Sequence, residues 1–107
     1  MADDVLAQLA ATIHGRRTAS ADASYTRQLL DAGPAKCAKK LGEEAVETVM
    51  AGAGESAERL KEEAADLLYH LLVLLESRDV AIADVLAVLE ARMGTSGLKE
   101  KAERGKR

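Results

Sequence analysis

Apolar residues recur at spacings of three and four along most of the chain, which is the pattern of amphipathic α-helices. Glycine, proline and short polar stretches interrupt this pattern and divide it into five predicted helices. The predicted helices cover residues 5–13, 25–30, 34–53, 56–77 and 82–93. The residues expected to cap or end them are Asp3 or Asp4 for the first helix, Ser20, Asp22 or Ser24 for the second, and Gly94 for the fifth.

The longer helices have apolar stripes that are expected to face the core. On the third helix the stripe consists of Ala38, Leu41, Ala45 and Val49, with Val46 and Ala53 on one flank. On the fourth helix it consists of Leu60, Ala64, Leu67, Leu71 and Leu74. On the fifth helix it consists of Ile82, Val85, Leu86, Leu89 and Met93.

Residues 67–75 make the fourth helix apolar on nearly every side. A helix of this kind is buried on all sides in a folded protein. Five short helices offer too little surface to surround it, so a second copy of the chain is expected to cover the rest. The sequence therefore predicts one all-α domain over residues 1–107, an up-and-down bundle of about five helices whose core is completed by homodimerisation.

The composition excludes several classes of function. Aromatic residues make up only 2% of the chain, too few for the stacking platforms that bind single-stranded nucleic acid, and the net charge is −3. The single cysteine, Cys37, rules out an internal disulfide and a cysteine-based zinc site. Basic residues collect in 95–107, which is expected to form a surface helix or a mobile tail.

Neither a membrane segment nor an export signal is expected. The longest uncharged apolar run, 67–75, is far shorter than the ~20 residues that span a bilayer. The chain opens with two aspartates after Ala2 and has no basic start followed by an apolar segment. We therefore expect a cytoplasmic protein with no membrane partner and no nucleic-acid partner.

Two pairs of carboxylates lie at the seam where the third and fourth helices could pack. Glu44 and Glu47 are three residues apart at the edge of the polar face of the third helix. Glu63 and Asp66, also three residues apart, lie beside the apolar stripe of the fourth helix. Four carboxylates that face one another repel unless a cation neutralises them, and oxygen ligands favour Mg²⁺, with Mn²⁺ as a substitute.

Three lysines precede these acids on the third helix, at positions 36, 39 and 40, where they could hold further phosphates of a substrate. This combination is typical of a metal-assisted phosphoryl or nucleotidyl hydrolase. Glutamate and lysine at helical spacing are equally typical of a solvated helix surface. The position of Glu63 and Asp66 beside the apolar stripe favours the metal site, but the residues alone leave both interpretations open.

Two segments form a recognisable signature: KKLGEEAVE at 39–47 and EAADLLYHLLVLL at 63–75. They resemble the phosphoribosyl-ATP pyrophosphohydrolase family of histidine biosynthesis. That family belongs to the all-α nucleotide pyrophosphohydrolases, which share Glu-Glu-x-x-Glu followed by Glu-x-x-Asp. The Ser-Tyr-Thr segment at 24–26 and the Asp-Leu-Leu-Tyr-His run at 66–70 narrow the resemblance to this family, and the likeness covers most of 24–104.

The resemblance implies an enzyme that uses Mg²⁺ to hydrolyse phosphoribosyl-ATP to phosphoribosyl-AMP and pyrophosphate. Carried over by position, it implies the metal ligands Glu44, Glu47, Glu63 and Asp66. It gives Glu43 a weaker role in positioning water or supporting a ligand, and it makes Lys39 and Lys40 contacts to substrate phosphates. In some relatives a cyclohydrolase domain precedes this domain. Because the chain starts at Met1 and has one cysteine, we expect that domain to be absent and the protein to be monofunctional.

Three alternatives share parts of this pattern. A house-cleaning dNTP pyrophosphatase of the same superfamily would have the same metal site, and a non-catalytic helical dimer would carry the acids on its surface. A di-iron carboxylate bundle needs Glu-x-x-His, whereas Asp66 and His70 are four residues apart. His70 is expected in the core or in support of a ligand. Cys37 is expected to pack, and Arg16 and Arg17 to lie in a solvated loop.

Overall fold

The structure, a computed structural model, describes residues 5–93 and 104–105. The main elements of this part of the chain are five α-helices. The helices are α1 Val5–Gly15, α2 Tyr25–Ala32, α3 Pro34–Gly54, α4 Ala57–Ser77 and α5 Ile82–Arg92, and a short 3-10 helix, Arg16–Thr18, follows α1. Residues 5–93 contain no strand, and the expected all-α fold is confirmed. The expectations for Asp3, Asp4, Gly94 and most of 95–107 concern positions outside the described residues.

Side-chain caps and one glycine determine where the central helices begin. The Ser24 hydroxyl accepts a hydrogen bond from the backbone N–H of Arg27 at 3.1 Å, so Ser24 is the cap of α2 among the three candidates. Ser56 caps α4 in the same way, accepting from the N–H of Arg59 at 3.2 Å. Gly33, with φ of 95°, separates α2 from α3 in a backbone conformation that favours glycine, and Pro34 begins α3.

The helices α3 and α4 form an antiparallel hairpin that the remaining helices cover at one end. Each has 21 residues, and only Glu55 and Ser56 separate them. The buried core lies toward the end of the hairpin remote from this connection, and its members come from α1, α2, the start of α3 and the second half of α4: Ile13, Leu29, Cys37, Leu72 and Val73. The stretch of the hairpin nearer the connection is therefore less covered, and the acidic residues lie in that stretch.

The face of α3 that packs on α4 differs from the predicted stripe. The buried residues of α3 are Cys37 and Ala51, and the half-buried ones between them are Lys40, Leu41, Glu44, Ala45 and Thr48. Val49 is 69% exposed and Val46 is 58% exposed, and Ala38 and Ala53 are exposed as well. Their predicted place in the core is wrong for the single chain, because α3 is rotated so that the boundary between its polar and apolar faces meets α4.

The predicted burial of α4 on all sides is also incomplete in the single chain. Leu72 and Val73 are buried, but Leu68 is 44% exposed and Leu60 is exposed as well. The reason is that α3 covers one side of α4 along its length, while α1 and α2 reach only its second half. None of the helices among the described residues combines the length and apolarity that crossing a membrane requires.

The fifth helix contributes little to the core of the single chain. It contacts α1, and Ile82 packs against the core cluster from its first turn. Val85 is half-buried, whereas the other predicted core residues Leu86, Leu89 and Met93 are exposed. The contacts of α5 are chiefly with α1, which leaves much of its surface open. Val5, an apolar residue at the start of α1, is exposed too. In the single chain, the apolar side chains of Leu86, Leu89, Met93 and Val5 therefore lie on the surface.

Candidate metal centre

Three carboxylates from two helices converge where α3 and α4 pack. Glu44 comes from α3, and Glu63 and Asp66 come from α4 at a spacing of three residues. One carboxylate oxygen of each lies within 4.8 Å of the others. Glu63 is buried, Glu44 is half-buried and Asp66 is exposed, so the group opens to solvent on one side. We call these three side chains the carboxylate group.

Thr48 joins the two helices beside the carboxylate group. Its hydroxyl lies 2.8 Å from the carbonyl oxygen of Glu44 and 3.1 Å from the carbonyl oxygen of Glu63. A hydroxyl has one hydrogen, and here the two carbonyl oxygens share it. Thr48 therefore links the backbone of α3 at Glu44 to the backbone of α4 at Glu63. Thr48 could not be identified from the sequence, since a threonine within a helix gives no signal that separates a bridging contact from a solvated one.

Glu63 has a cationic partner on its own helix. Arg59 donates from Nη2 to Oε1 of Glu63 at 2.6 Å, a charge-assisted hydrogen bond. The negative charge of Glu63 is the main cause that raises the pKa of Arg59, and hydrogen bonding to Glu55 adds to it. Arg59 is not among the site residues predicted from the sequence. The available signal was its spacing of four residues from Glu63, which places both side chains on one face of α4.

His70 lies behind the carboxylate group, on the core side. The residue is 7% exposed, and its Nε2 is 4.0 Å from Oε1 of Glu44. Its ring meets the rings of Tyr69 and Tyr25 edge to face, with centroids 5.0 and 6.3 Å away. Nδ1 is buried and has no hydrogen-bond partner among the described residues. His70 is not part of the carboxylate group, so it lies where a supporting residue would, beside a candidate ligand.

The other site residues suggested by the sequence lie around the carboxylate group rather than in it. Glu47 and Glu43 are exposed on α3, and Glu47 lies outside the set of converging oxygens. Lys40 is half-buried, and its Nζ is 3.4 Å from Oε1 of Glu43. Lys39 is exposed and points away from that pair on the helical wheel. The structure thus brings together three of the four carboxylates implied by the resemblance.

Arg17 is anchored and does not lie in a solvated loop as expected. It donates from Nε to the carboxylate of Glu76 and from Nη2 to Asp79 at 2.8 Å, and His14 Nδ1 lies 3.0 Å from the same Glu76 carboxylate. Burial opposes ionisation of Glu76, but the hydrogen bonds from His14 and Arg17 outweigh it, and the pKa of Glu76 is lowered. This cluster ties the end of α1 to the end of α4, and Arg16 is exposed beside it.

An apolar cavity of about 310 Å³ lies next to this tether. Its walls come from α1, the end of α4 and the start of α5, and they include Ala10, Leu72, Leu75, Val80 and Ile82. None of the carboxylate group lines it. The ionisable residues in its lining are His14 and Glu76, which pair with each other in the tether. The carboxylate group therefore remains the candidate site.

Comparisons with known proteins agree on one family. A sequence model described as phosphoribosyl-ATP pyrophosphohydrolase matches residues 6–93. Proteins named phosphoribosyl-ATP pyrophosphatase are 57% identical to the chain in Cereibacter sphaeroides and 56% identical in Dinoroseobacter shibae, each covering 94% of this chain and 98% of the relative. The protein of that name in Nitrobacter winogradskyi is 54% identical and covers 92% of this chain and 84% of the relative.

Proposed function

The chain belongs to the phosphoribosyl-ATP pyrophosphohydrolase family, and on this premise we propose that it hydrolyses phosphoribosyl-ATP to phosphoribosyl-AMP and pyrophosphate. The family resemblance expected from the sequence is thereby confirmed, and so is its consequence that the protein is a hydrolase. The reaction would be the second step of histidine biosynthesis. It breaks the bond between the α phosphorus and the oxygen that bridges to the β phosphorus, and water supplies the new oxygen.

The convergence of the carboxylate group is the observation that carries this proposal. Glu44, Glu63 and Asp66 offer only oxygen atoms, and their spacing of at most 4.8 Å allows all three to meet one ion. Oxygen donors without thiolates or imidazoles match Mg²⁺, and Mn²⁺ is the expected substitute. We therefore propose that these residues hold Mg²⁺, which when bound would offset the negative charge that develops on the leaving pyrophosphate.

The remaining residues are proposed to orient the substrate and the attacking water. Lys40 lies one turn before Glu44 on the same side of α3, so its ammonium can reach phosphate oxygens beside the carboxylate group. Lys39 is the second phosphate contact that the family resemblance implies. Glu47 and Glu43 are exposed next to Glu44, where Glu47 can turn toward the cation as a fourth ligand and Glu43 can hold a water.

Pyrophosphate release from a panel of nucleotides tests the proposal. Phosphoribosyl-ATP, dUTP and dCTP would each be incubated with the protein, with Mg²⁺ and with a chelator. We expect release from phosphoribosyl-ATP only, and only with Mg²⁺. Preference for a dNTP would instead support the house-cleaning pyrophosphatase of the same superfamily, and no release from any nucleotide would reject both enzymes.

The protein is further proposed to act as a homodimer. Large apolar side chains are exposed on α3, α4 and α5, and the described chain provides nothing to cover them. A second copy offers the same apolar surfaces and is the simplest partner for them. The cytoplasmic location and the absence of membrane and nucleic-acid partners stay predictions from the sequence.

A further inference from the structure

Arg59 neutralises a buried carboxylate of the candidate site. Glu63 is 7% exposed, and a carboxylate buried to this degree requires a compensating positive charge. Arg59 provides it through the 2.6 Å bond from Nη2 to Oε1. The guanidinium is half-exposed, so it compensates Glu63 from the solvent side of the site rather than from the core.

The bonds that Arg59 makes elsewhere are weaker than its bond to Glu63. Its Nη1 is 3.3 Å from Glu62 and its Nε is 3.5 Å from Glu55, and both of these acids are well exposed. Exposed ion pairs of this length contribute little to holding a side chain in place. The position of the guanidinium therefore depends on the charge of Glu63.

A divalent cation in the carboxylate group would compete with Arg59 for that charge. The carboxylate of Glu63 belongs to the converging set and is at the same time the main partner of Arg59. Two positive groups at one carboxylate repel each other, and the ion brings the larger charge and has two further carboxylate ligands. Occupation of the site would thus release the guanidinium, whose long side chain stays anchored one helical turn before Glu63.

We propose that Arg59 is a cation placeholder that becomes a phosphate-binding residue: it neutralises Glu63 in the metal-free protein and binds a substrate phosphate once a divalent cation takes its place. A guanidinium presents two parallel N–H groups that match two phosphate oxygens, and the substrate of the proposed reaction carries a triphosphate. The inference rests on the proposed function and assigns a specific residue to the binding of its substrate.

Binding of Mn²⁺ to the nucleotide-free protein, followed by electron paramagnetic resonance, tests the first half. Arg59→Gln removes the competing charge and is expected to bind Mn²⁺ about threefold more tightly than the wild type. Lys61→Gln is the matched control, because Lys61 is an exposed cation two residues away on α4 that pairs only with the exposed Glu58 among the described residues. It should leave the affinity unchanged.

Steady-state kinetics with Mg²⁺ and phosphoribosyl-ATP test the second half. Arg59→Gln is expected to raise KM about tenfold or more, as the loss of a charge-assisted bond to an ionised group predicts. Arg59→Lys keeps the charge but not the fork of two N–H groups. It should therefore bind Mn²⁺ with the wild-type affinity, and its KM should lie between those of the wild type and Arg59→Gln. Lys61→Gln should match the wild type.

Arg59→Gln is thus expected to strengthen Mn²⁺ binding and to weaken substrate binding. A merely structural role would not change the two affinities in opposite directions. Equal or weaker Mn²⁺ binding by this variant, or an unchanged KM, would overturn the inference. Failure of the wild type to bind Mn²⁺ would overturn the proposed metal site and this inference with it. Failure of the proposed function would show instead as no pyrophosphate release from phosphoribosyl-ATP by the wild type, so the two failures are distinguishable.

Discussion

At the scale of single residues, the candidate site depends on three carboxylates and on two neighbours, Arg59 and Thr48, that bind a carboxylate or the backbone beside it. Glu44, Glu63 and Asp66 could be identified from the sequence because each lies at the edge of an apolar stripe, where a charged side chain loses hydration unless a partner compensates it. Arg59 and Thr48 look like ordinary surface residues in the sequence. Their roles depend on how α3 and α4 are rotated against each other, and a helical period alone does not fix that rotation.

Glu47 tests how far the site extends beyond the three converging carboxylates. Glu47→Gln should abolish turnover and leave the fold intact, because the side chain is exposed and a carboxamide lacks the charge that the cation needs. Pyrophosphate release and a thermal melt measure the two quantities. Near-normal activity would confine the metal ligands to Glu44, Glu63 and Asp66.

The two lysines before the acids should differ in importance. Lys40 shares the side of α3 that carries Glu44, and it is half-buried, whereas Lys39 is exposed on another side. Lys40→Ala should therefore weaken productive substrate binding by ~1–3 kcal/mol, and Lys39→Ala by clearly less. Values of kcat/KM for both variants decide this. A larger loss at Lys39 would mean that the phosphates approach α3 from the other side.

At the scale of helices, sequence signals located the ends better than the faces. Ser24, Ser56 and the Gly33-Pro34 pair bring the observed bounds of α2, α3 and α4 close to the predicted ones, because caps act locally. The faces depend on neighbouring helices. On α3 the apolar stripe through Val49 predicts contact with the core, but α4 packs on the side of Thr48 instead.

The tether between α1 and α4 should make stability depend on acid pH. The pKa of Glu76 is lowered in the folded protein, so its ionised form stabilises the fold above the ordinary glutamate pKa of about 4.3, and this contribution is lost as the pH falls through the lower folded pKa. Glu76→Gln should reduce the free energy of unfolding by about 1–2 kcal/mol at pH 7 and by progressively less below pH ~4.

Urea unfolding of the variant and the wild type at several pH values would measure this difference. Asp79→Asn is the matched control, because Asp79 is the exposed partner in the same cluster and asparagine tolerates its φ of 58°. It should change stability little at any pH. A Glu76→Gln deficit that stays constant from pH 7 to pH 3 would show that ionisation of Glu76 does not stabilise the tether.

At the scale of the whole molecule, the all-α class was predictable from periodicity and the lack of breakers. Which apolar residues are buried within one chain was not predictable, because the periodicity of apolar residues does not distinguish a residue of the core from a residue of a subunit interface. Leu68 and Val49 illustrate the point: the apolar run 67–75 and the stripe of the third helix predict their burial, and the single chain leaves both exposed. The predicted burial and the observed exposure agree if a second copy covers them.

The homodimer is therefore the prediction that belongs to this scale. Sedimentation at micromolar concentration should show a species of twice the 11.3 kDa chain mass. Leu68→Glu should dissociate it, since an unpaired charge in an apolar interface is strongly unfavourable. Val5→Glu, at an exposed position at the start of α1, should not. A wild-type protein that sediments only at the mass of one chain would contradict the dimer.

The buried thiol of Cys37 has a practical consequence. It is 1% exposed between α2 and α4, burial raises its pKa, and it is the only cysteine of the sequence. A thiol in this state resists alkylation until the surrounding helices separate. The rate at which a small alkylating reagent labels the native protein would thus report the free energy of opening around α2 and α3, with no introduced probe. Repeating the measurement with and without Mg²⁺ and nucleotide would reveal whether occupation of a site on the α3–α4 hairpin suppresses motion in the distant core.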